Sequence, residues 1–194
     1  FKSIKFASYD FGSFPMIEKL KKTFDEIIVS TGASFDDEIE KTYNILKNKN
    51  FSFLHCITIY PTPLKDLNLK RMEFLKKFTN KVGFSDHTHV KTTGILGSMT
   101  ACYLGAKLIE RHFTILPENK TKDGPVSINE KQLSDLISFS KLNKKEKKLF
   151  LDSKFKNWKN LIGNKKRELS DEEILNRNYY RGRFASKRKY QKNS

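Results

Sequence analysis

Two histidines, His87 and His112, stand in runs that suit chemistry. His87 closes Val82-Gly83-Phe84-Ser85-Asp86-His87-Thr88, and His112 sits late in Ile109-Glu110-Arg111-His112-Phe113-Thr114. Each run reads as a short buried strand finishing in polar residues. Side chains alternate along a strand, so Ser85 and His87 share one face, and Glu110 and His112 share another. Parallel neighbours of this kind bring two imidazoles to one end of a sheet. Neutral imidazole suits a divalent transition metal, with nitrogen about 2.0–2.1 Å from the ion. Two protein ligands leave positions open for water and a substrate oxygen, and a metal so held polarises a carbonyl as a Lewis acid. The competing reading of either histidine alone is a hydrogen-bonded core residue. That reading fits His55, which lies inside a strand with its parity opposed to Thr58 and Tyr60.

Lys5, Ser8, Ser30 and Ser85 form a second candidate set. A lysine supplies charge and the hydroxyls supply donors for a phosphate or carboxylate. A lone serine at a strand end is more often a local cap. Lys5 and Ser8 also face opposite sides of a regular strand, so both reach one ligand only if the strand breaks near Ala7.

The elements that must position these groups recur along the chain. Strand-like runs lie at residues 4–7, 26–32 (strand and turn), 51–58, 82–88 and 106–114, their starts about 22 to 30 residues apart, and helical apolar spacing follows each. Met16, Ile17, Leu20 and Phe24 mark one helix, and Ile39, Tyr43 and Leu46 a second behind a Ser34/Asp37 cap. Leu69, Met72, Leu75 and Phe78 mark a third, a small-residue stretch over 92–104 a fourth, and Leu133, Leu136 and Ile137 the inward side of a fifth over 127–142. Serial βα repetition implies a parallel sheet with helices outside. Both an open doubly wound sheet and a (β/α)8 barrel place polar site groups at the carboxyl ends of strands. The polar residues cluster there: Ser8, Ser30-Thr31, Thr58 to Tyr60, Ser85 to His87, and His112 to Thr114. About five units are visible. The chain opens on strand-like residues without an initiator Met, which suits a barrel lacking its first three units.

The division expected is a partial barrel over 1–143 and a basic extension over 144–194, partly helical, with a disordered end. Within the extension, Phe150, Leu151, Phe155, Trp158 and Leu161 suggest a helix lying on the barrel. Ser170-Asp171-Glu172-Glu173 reads as a helix start, Tyr179 to Ser186 as a strand start, and 187–194 as disorder. The net charge of +16 is concentrated at that end, where 18 Lys/Arg after residue 140 face 6 Asp/Glu. A basic tail is a candidate contact for nucleic acid or an anionic membrane. The plainer reading is a solvated lysine-rich surface. No aromatic-basic ribonucleoprotein motif or recognition-helix pattern accompanies it, so no specific nucleic-acid partner is expected. Cys56 and Cys102 each sit in an apolar run and read as small buried hydrophobes. They make no disulfide framework, no run of about 18 apolar residues spans a membrane, and no signal peptide precedes the first strand. A reducing, cytoplasmic setting is the expectation.

Three long motifs, in register, carry a family resemblance. They are Phe53-Leu54-His55-Cys56 continuing to Ile59-Tyr60-Pro61-Thr62-Pro63, then Gly83-Phe84-Ser85-Asp86-His87-Thr88, then Ile109-Glu110-Arg111-His112-Phe113-Thr114. With Lys5-Phe6-Ala7-Ser8 and Ser30-Thr31-Gly32, this pattern resembles the sialic acid synthase (N-acetylneuraminate synthase) family over residues 5–124. The resemblance implies a partial (β/α)8 TIM barrel and a transferase of sialic acid biosynthesis. It would condense phosphoenolpyruvate with an N-acetylated amino-sugar such as N-acetylmannosamine, giving a nine-carbon 2-keto acid and free phosphate. It implies a divalent metal, Mn2+ or Mg2+, on His87 and His112. It implies phosphoenolpyruvate contacts at Lys5, Ser8, Ser30 and Ser85, and Tyr60 lining the substrate site, so that Lys5, Tyr60 and His112 are the expected catalytic groups.

Thr58 stands where several members carry Asn, a difference that bears on the acceptor. Many members follow the last motif with Gly-Pro-Asp. Here the order is Asp123-Gly124-Pro125-Val126, so Asp123 is the nearest candidate for sugar contact. The family's first strands, with further acidic and lysine site residues, have no counterpart here. Members often continue into an antifreeze-like domain that reaches a partner's active site, which implies a homodimer at full length. Residues 181–186 resemble its opening. The rival readings are a truncated, non-catalytic fragment acting through its basic tail, and another phosphoenolpyruvate-dependent aldol-type barrel.

Overall fold

The computed structural model describes residues 1–165 and 168–192. Six parallel strands pair in strict chain order: β1 (Ser3–Phe6), β2 (Glu26–Ser30), β3 (Asn50–Cys56), β4 (Val82–Asp86), β5 (Ile109–Phe113) and β6 (Ser127–Ile128). The helices are α1 (Phe14–Leu20), α2 (Asp36–Leu46), α3 (Arg71–Leu75), α4 (Val90–Thr93), α5 (Leu96–Tyr103), α6 (Glu130–Lys141), α7 (Lys144–Lys154) and α8 (Asp171–Lys192). There are thus six strands where five were expected, because β6 has two residues and is too short to show an alternating pattern.

The sheet curls. Lys5 of β1 and Glu110 of β5 form an ion pair at 2.9 Å. Four strand spacings in a flat sheet would set those backbones about 19 Å apart, beyond the reach of the two side chains. Together with the unreversed strand order, this selects part of a (β/α)8 barrel over a doubly wound sheet. The concave face carries Lys5, Cys56, Ser85, His87, Glu110 and His112. The convex face packs under the helices. Phe51, Phe53, Val82 and Phe84 are buried there, with Tyr43 and Phe78 rings 5.3 Å apart against them. Burial of such side chains is the main stabilising term, on the order of 1.5–3 kcal/mol each. His55 also lies on this side, its Nε2 2.7 Å from the Leu67 carbonyl and its ring 5.8 Å from Phe84.

Several local expectations change. The helix over 92–104 is two pieces, because Gly94 takes φ 57° and ends α4. The Ser34/Asp37 cap is replaced by Glu38, whose carboxylate accepts the Phe35 N–H at 2.9 Å. Ser34 Oγ instead donates to the Gly32 carbonyl. On α6, Leu136 and Phe139 are buried, but Leu133 and Ile137 are 37% and 46% exposed. They line a groove shared with Cys102, Ile109 and Phe113.

The lysine run at 144–148 is the start of α7, capped by Asn143 and Glu146. Trp158 packs its ring 5.1 Å from Tyr103 and donates to Asp152. α8 begins at the expected Ser170 cap, where Ser170 Oγ accepts the Glu173 N–H. It then runs as helix to Lys192, through the expected strand at Tyr179 and into the expected disorder from Lys187. Asn193 and Ser194 lie outside the described residues. No helix among the described residues is long and apolar enough to cross a membrane.

Candidate active site at the strand ends

β4 ends at Asp86 and β5 at Phe113, so His87 and His112 reach the concave face at the same end of the sheet. Their ring centroids are 5.4 Å apart. Tyr60, from the loop after β3, stacks on His87 at 4.0 Å, and its hydroxyl lies 2.8 Å from His87 Nε2. Burial first, and the nearby His112 second, lower the His87 pKa to about 4, so this imidazole is neutral at pH 7. Burial pushes the Tyr60 hydroxyl up, so it stays protonated. On the outer side of the pair, His112 Nδ1 stands 3.7 Å from Asp123 Oδ2.

Glu110 links this corner to the rest of the concave face. Its carboxylate takes the Lys5 ammonium at 2.9 Å and the Ser85 hydroxyl at 2.6 Å. Burial alone would raise its pKa, but these two donors outweigh burial and hold it below the usual value. Cys56 lies at the centre. Its thiol is 3.8 Å from His87 Nδ1 and interacts with the hydroxyls of Ser8 and Ser85, while burial raises its pKa.

The remaining sequence-predicted residues sit over β1 to β3. β1 stops at Phe6 and a 3-10 turn starts at Ser8, which is the break near Ala7 that lets Lys5 and Ser8 turn to one side. Ser8 Oγ accepts the Gly32 N–H at 3.1 Å. A Cβ at Gly32 would stand 2.6 Å from Ser8 Oγ and 2.7 Å from Thr58 Cγ2, so only glycine permits these three to crowd together. Ser30 Oγ and Thr58 Oγ1 are buried without a hydrogen-bond partner, as is Ser52 Oγ deeper in β3. Unsatisfied buried hydroxyls cost about 1–3 kcal/mol each, a cost that a polar ligand relieves.

One corner therefore gathers Lys5, Ser8, Tyr60, Ser85, His87, His112 and Asp123. Thr58 and Ser30 are set back beside β2 and β3. Two further groups belong to the corner. Glu110 shares a face with His112 in the sequence, but its partner Lys5 is 105 positions away. Cys56 has the parity of Thr58 and Tyr60, which was the available signal. Among the described residues no three His, Cys, Asp or Glu side chains form a metal-binding group. The donor set is instead two imidazoles, His87 buried and neutral and His112 partly exposed. That suits a cation whose other ligands are water and substrate oxygens. An apolar groove of about 880 Å3 on the outer layer, lined by Met99, Phe139, Phe150 and Phe155 among others, contains none of these residues.

A curled parallel sheet with ionisable side chains gathered at the carboxyl ends of its strands is the arrangement of part of a (β/α)8 barrel, whose sites lie at that face. Residues 1–149 match the NeuB family, and the chain belongs to that family. It is 38% identical over 143 residues to N,N'-diacetyllegionaminic acid synthase of Campylobacter jejuni, covering 71% of this chain and 42% of that protein. It is 36% identical over 137 residues to human N-acetylneuraminate-9-phosphate synthase, covering 69% of this chain and 37% of that protein. Pseudaminic acid synthase of Campylobacter jejuni matches at 31% identity over 94% of this chain and 49% of its own length. The chain thus spans less than half the length of these relatives.

Among solved structures, an N-acetylneuraminic acid (sialic acid) synthetase from Leptospira borgpetersenii, crystallised with citrate, aligns with TM-score 0.68 and 26% identity. It covers 92% of this chain and 57% of that one. A spore coat polysaccharide biosynthesis protein of Bacillus subtilis aligns with TM-score 0.71 at 23% identity over 91% of this chain and 49% of that one, which supports the fold.

Proposed function

We propose that this chain carries the strand-end site of a synthase that joins phosphoenolpyruvate to an N-acetylated amino-sugar, forming a sialic-acid-type 2-keto sugar acid. The observation that carries the reading is the convergence of His87 and His112, with rings 5.4 Å apart, beside the Lys5–Glu110–Ser85 chain of charge and hydroxyl. Membership of a family whose named relatives are synthases of such acids supports it.

Lys5 and the hydroxyls of Ser8, Ser30 and Ser85 hold the phosphate and carboxylate of phosphoenolpyruvate through charge-assisted hydrogen bonds. Glu110 occupies Lys5 until that anion arrives. His87 and His112 would hold Mn2+ or Mg2+, which when bound would supply Lewis-acid polarisation at the sugar aldehyde oxygen. Tyr60, Thr58 and Asp123 bound the acceptor. The C3 carbon of phosphoenolpyruvate bonds to the aldehyde carbon, water adds at C2, and the C–O bond to phosphate breaks. Fixed donors around the phosphate lower the barrier chiefly by orientation and preorganised charge. The full-length enzyme acts as a homodimer in the cytoplasm.

Titration of the chain with Mn2+ tests the centre of this reading. The expected result is saturable binding that His112→Ala abolishes, and unchanged affinity in that variant would refute the assignment. Phosphate release from phosphoenolpyruvate with a panel of N-acetyl hexosamines tests the reaction, in the chain and in a version extended by a relative's N-terminal barrel units. Product mass separates a nine-carbon acid from the product of another aldol-type barrel.

A further inference from the structure

The proposed function leaves the outer side of the two histidine strands without a role, yet a buried charge pair lies there. Asp86 and Arg111 are register partners across β4 and β5. Their side chains are 0% and 3% exposed and meet at 2.5 Å. Asp86 also accepts the Ser98 hydroxyl at 2.6 Å and the Thr88 N–H at 2.9 Å. Arg111 donates to Thr88 Oγ1 at 3.0 Å, to the Thr88 carbonyl at 2.9 Å and to the Gly94 carbonyl at 3.3 Å. The small residues between the two strands have their explanation here. A Cβ at Gly97 would stand 2.9 Å from Asp86 Oδ2, so α5 comes close enough for Ser98 to reach the pair because its neighbour Gly97 lacks a side chain.

The placement relative to the imidazoles is informative. The β4–β5 ladder ends at the Asp86–Arg111 rung, and His87 lies one residue past it. Backbone pairing with β5 therefore does not fix His87 against His112. Thr62 holds the His87 carbonyl at 2.8 Å from the β3 side. From the β5 side the restraint is the pair itself. Asp86 precedes His87, Thr88 follows it, and one guanidinium grips both. That guanidinium belongs to the residue directly before His112.

We infer that Asp86 and Arg111 are positioning residues that set the spacing and aim of His87 and His112 from the opposite face of the sheet. The inference rests on the reading of those two imidazoles as cation ligands, and it adds the element that keeps them in register. A planar fork with fixed donor directions restrains two backbone segments at once, which a lysine ammonium on a flexible stem does not.

The test uses the whole chain with Arg111→Lys and with the double variant Asp86→Leu/Arg111→Met. Replacing a buried ion pair by apolar side chains of similar volume often preserves stability, so the double variant is expected to melt within a few degrees of the parent. Two readouts are followed. The first is Mn2+ affinity, expected to fall about tenfold or more in both variants. The second is the NMR shift of the His87 ring protons, which the Tyr60 ring at 4.0 Å displaces in the parent, and which should return toward the free-imidazole position. Folded variants with parental Mn2+ affinity and parental His87 shifts overturn the inference. If the parent binds no Mn2+, the cation reading falls, and the His87 shifts alone still decide the positioning role. If the double variant does not fold, Arg111→Lys carries both readouts.

Discussion

Over β1, β2 and the loop after β3, the strand ends lie beneath α8; over β4 and β5 they stay open. In the covered region Glu38 and the loop carbonyls have strong protein partners. Arg177 takes Glu38 at 2.7 and 2.8 Å. Arg181 reaches the same carboxylate, the carbonyls of Ser8 and Gly32, and Ser34 Oγ. Asn176 donates to the Thr58 carbonyl at 2.7 Å, and Tyr180 stacks on Tyr9 at 3.9 Å. In the open region the partners are weaker. Tyr60 caps His87 with one hydroxyl, and His112 has a carboxylate at 3.7 Å with its side chain 35% exposed. The same sheet thus ends on one side beneath a helix anchored by ion pairs, where the Ser30 and Thr58 hydroxyls are left for a ligand, and on the other in imidazoles held by weaker contacts. A permanent, satisfied charge fixes structure, whereas a neutral imidazole retains capacity to bind.

Four changes break or sharpen this contrast. Arg111→Met alone leaves Asp86 buried without its cation and should destabilise the open side by about 3–5 kcal/mol in urea unfolding. Acid should act on the same side through His87. Between pH 6.5 and about 4 the unfolded chain takes up a proton there that the folded chain refuses. Stability is full above pH 6.5 and declines as pH falls toward 4, by up to about 3 kcal/mol. His87→Gln should flatten that part of the profile.

On the covered side, Glu38→Ala leaves two guanidiniums with 18% and 13% side-chain exposure without their carboxylate. A loss of about 2 kcal/mol is expected, with hydrogen exchange accelerated in α8 and unchanged in β2 to β4. The smallest effect is Tyr60→Phe. Removing one hydrogen bond is worth about 1 kcal/mol, and because it uncovers His87 Nε2, Mn2+ affinity should rise about fivefold.

The histidine strands were legible because period-two alternation and polar strand ends are local signals. Both imidazoles, Ser85 and Tyr60 follow from them. Lys5 meeting Glu110 was not legible, because the contact depends on how far a sheet curls across four strands. Cys56 looked like core by composition and is buried, yet parity alone turns it toward the site. Tyr179-Tyr180 suggested a strand by propensity. Helix prevails because Asn176 with Tyr180, and Arg177 with Arg181, are four residues apart and share one helical face, where their partners in the segments after β1 to β3 and on α2 await them. Those partners, up to 173 positions away in the chain, leave no local trace.

Glu38 performs two tasks with one carboxylate, closing the first turn of α2 through the Phe35 N–H and gripping both arginines of α8. The seating of α8 therefore depends on α2 as well as on the sheet, since α2 turns that carboxylate outward to meet the arginines. Loosening the first turn of α2 should free α8 as well, and hydrogen exchange in α8 after Phe35→Pro, which removes the N–H that Glu38 accepts, would show it.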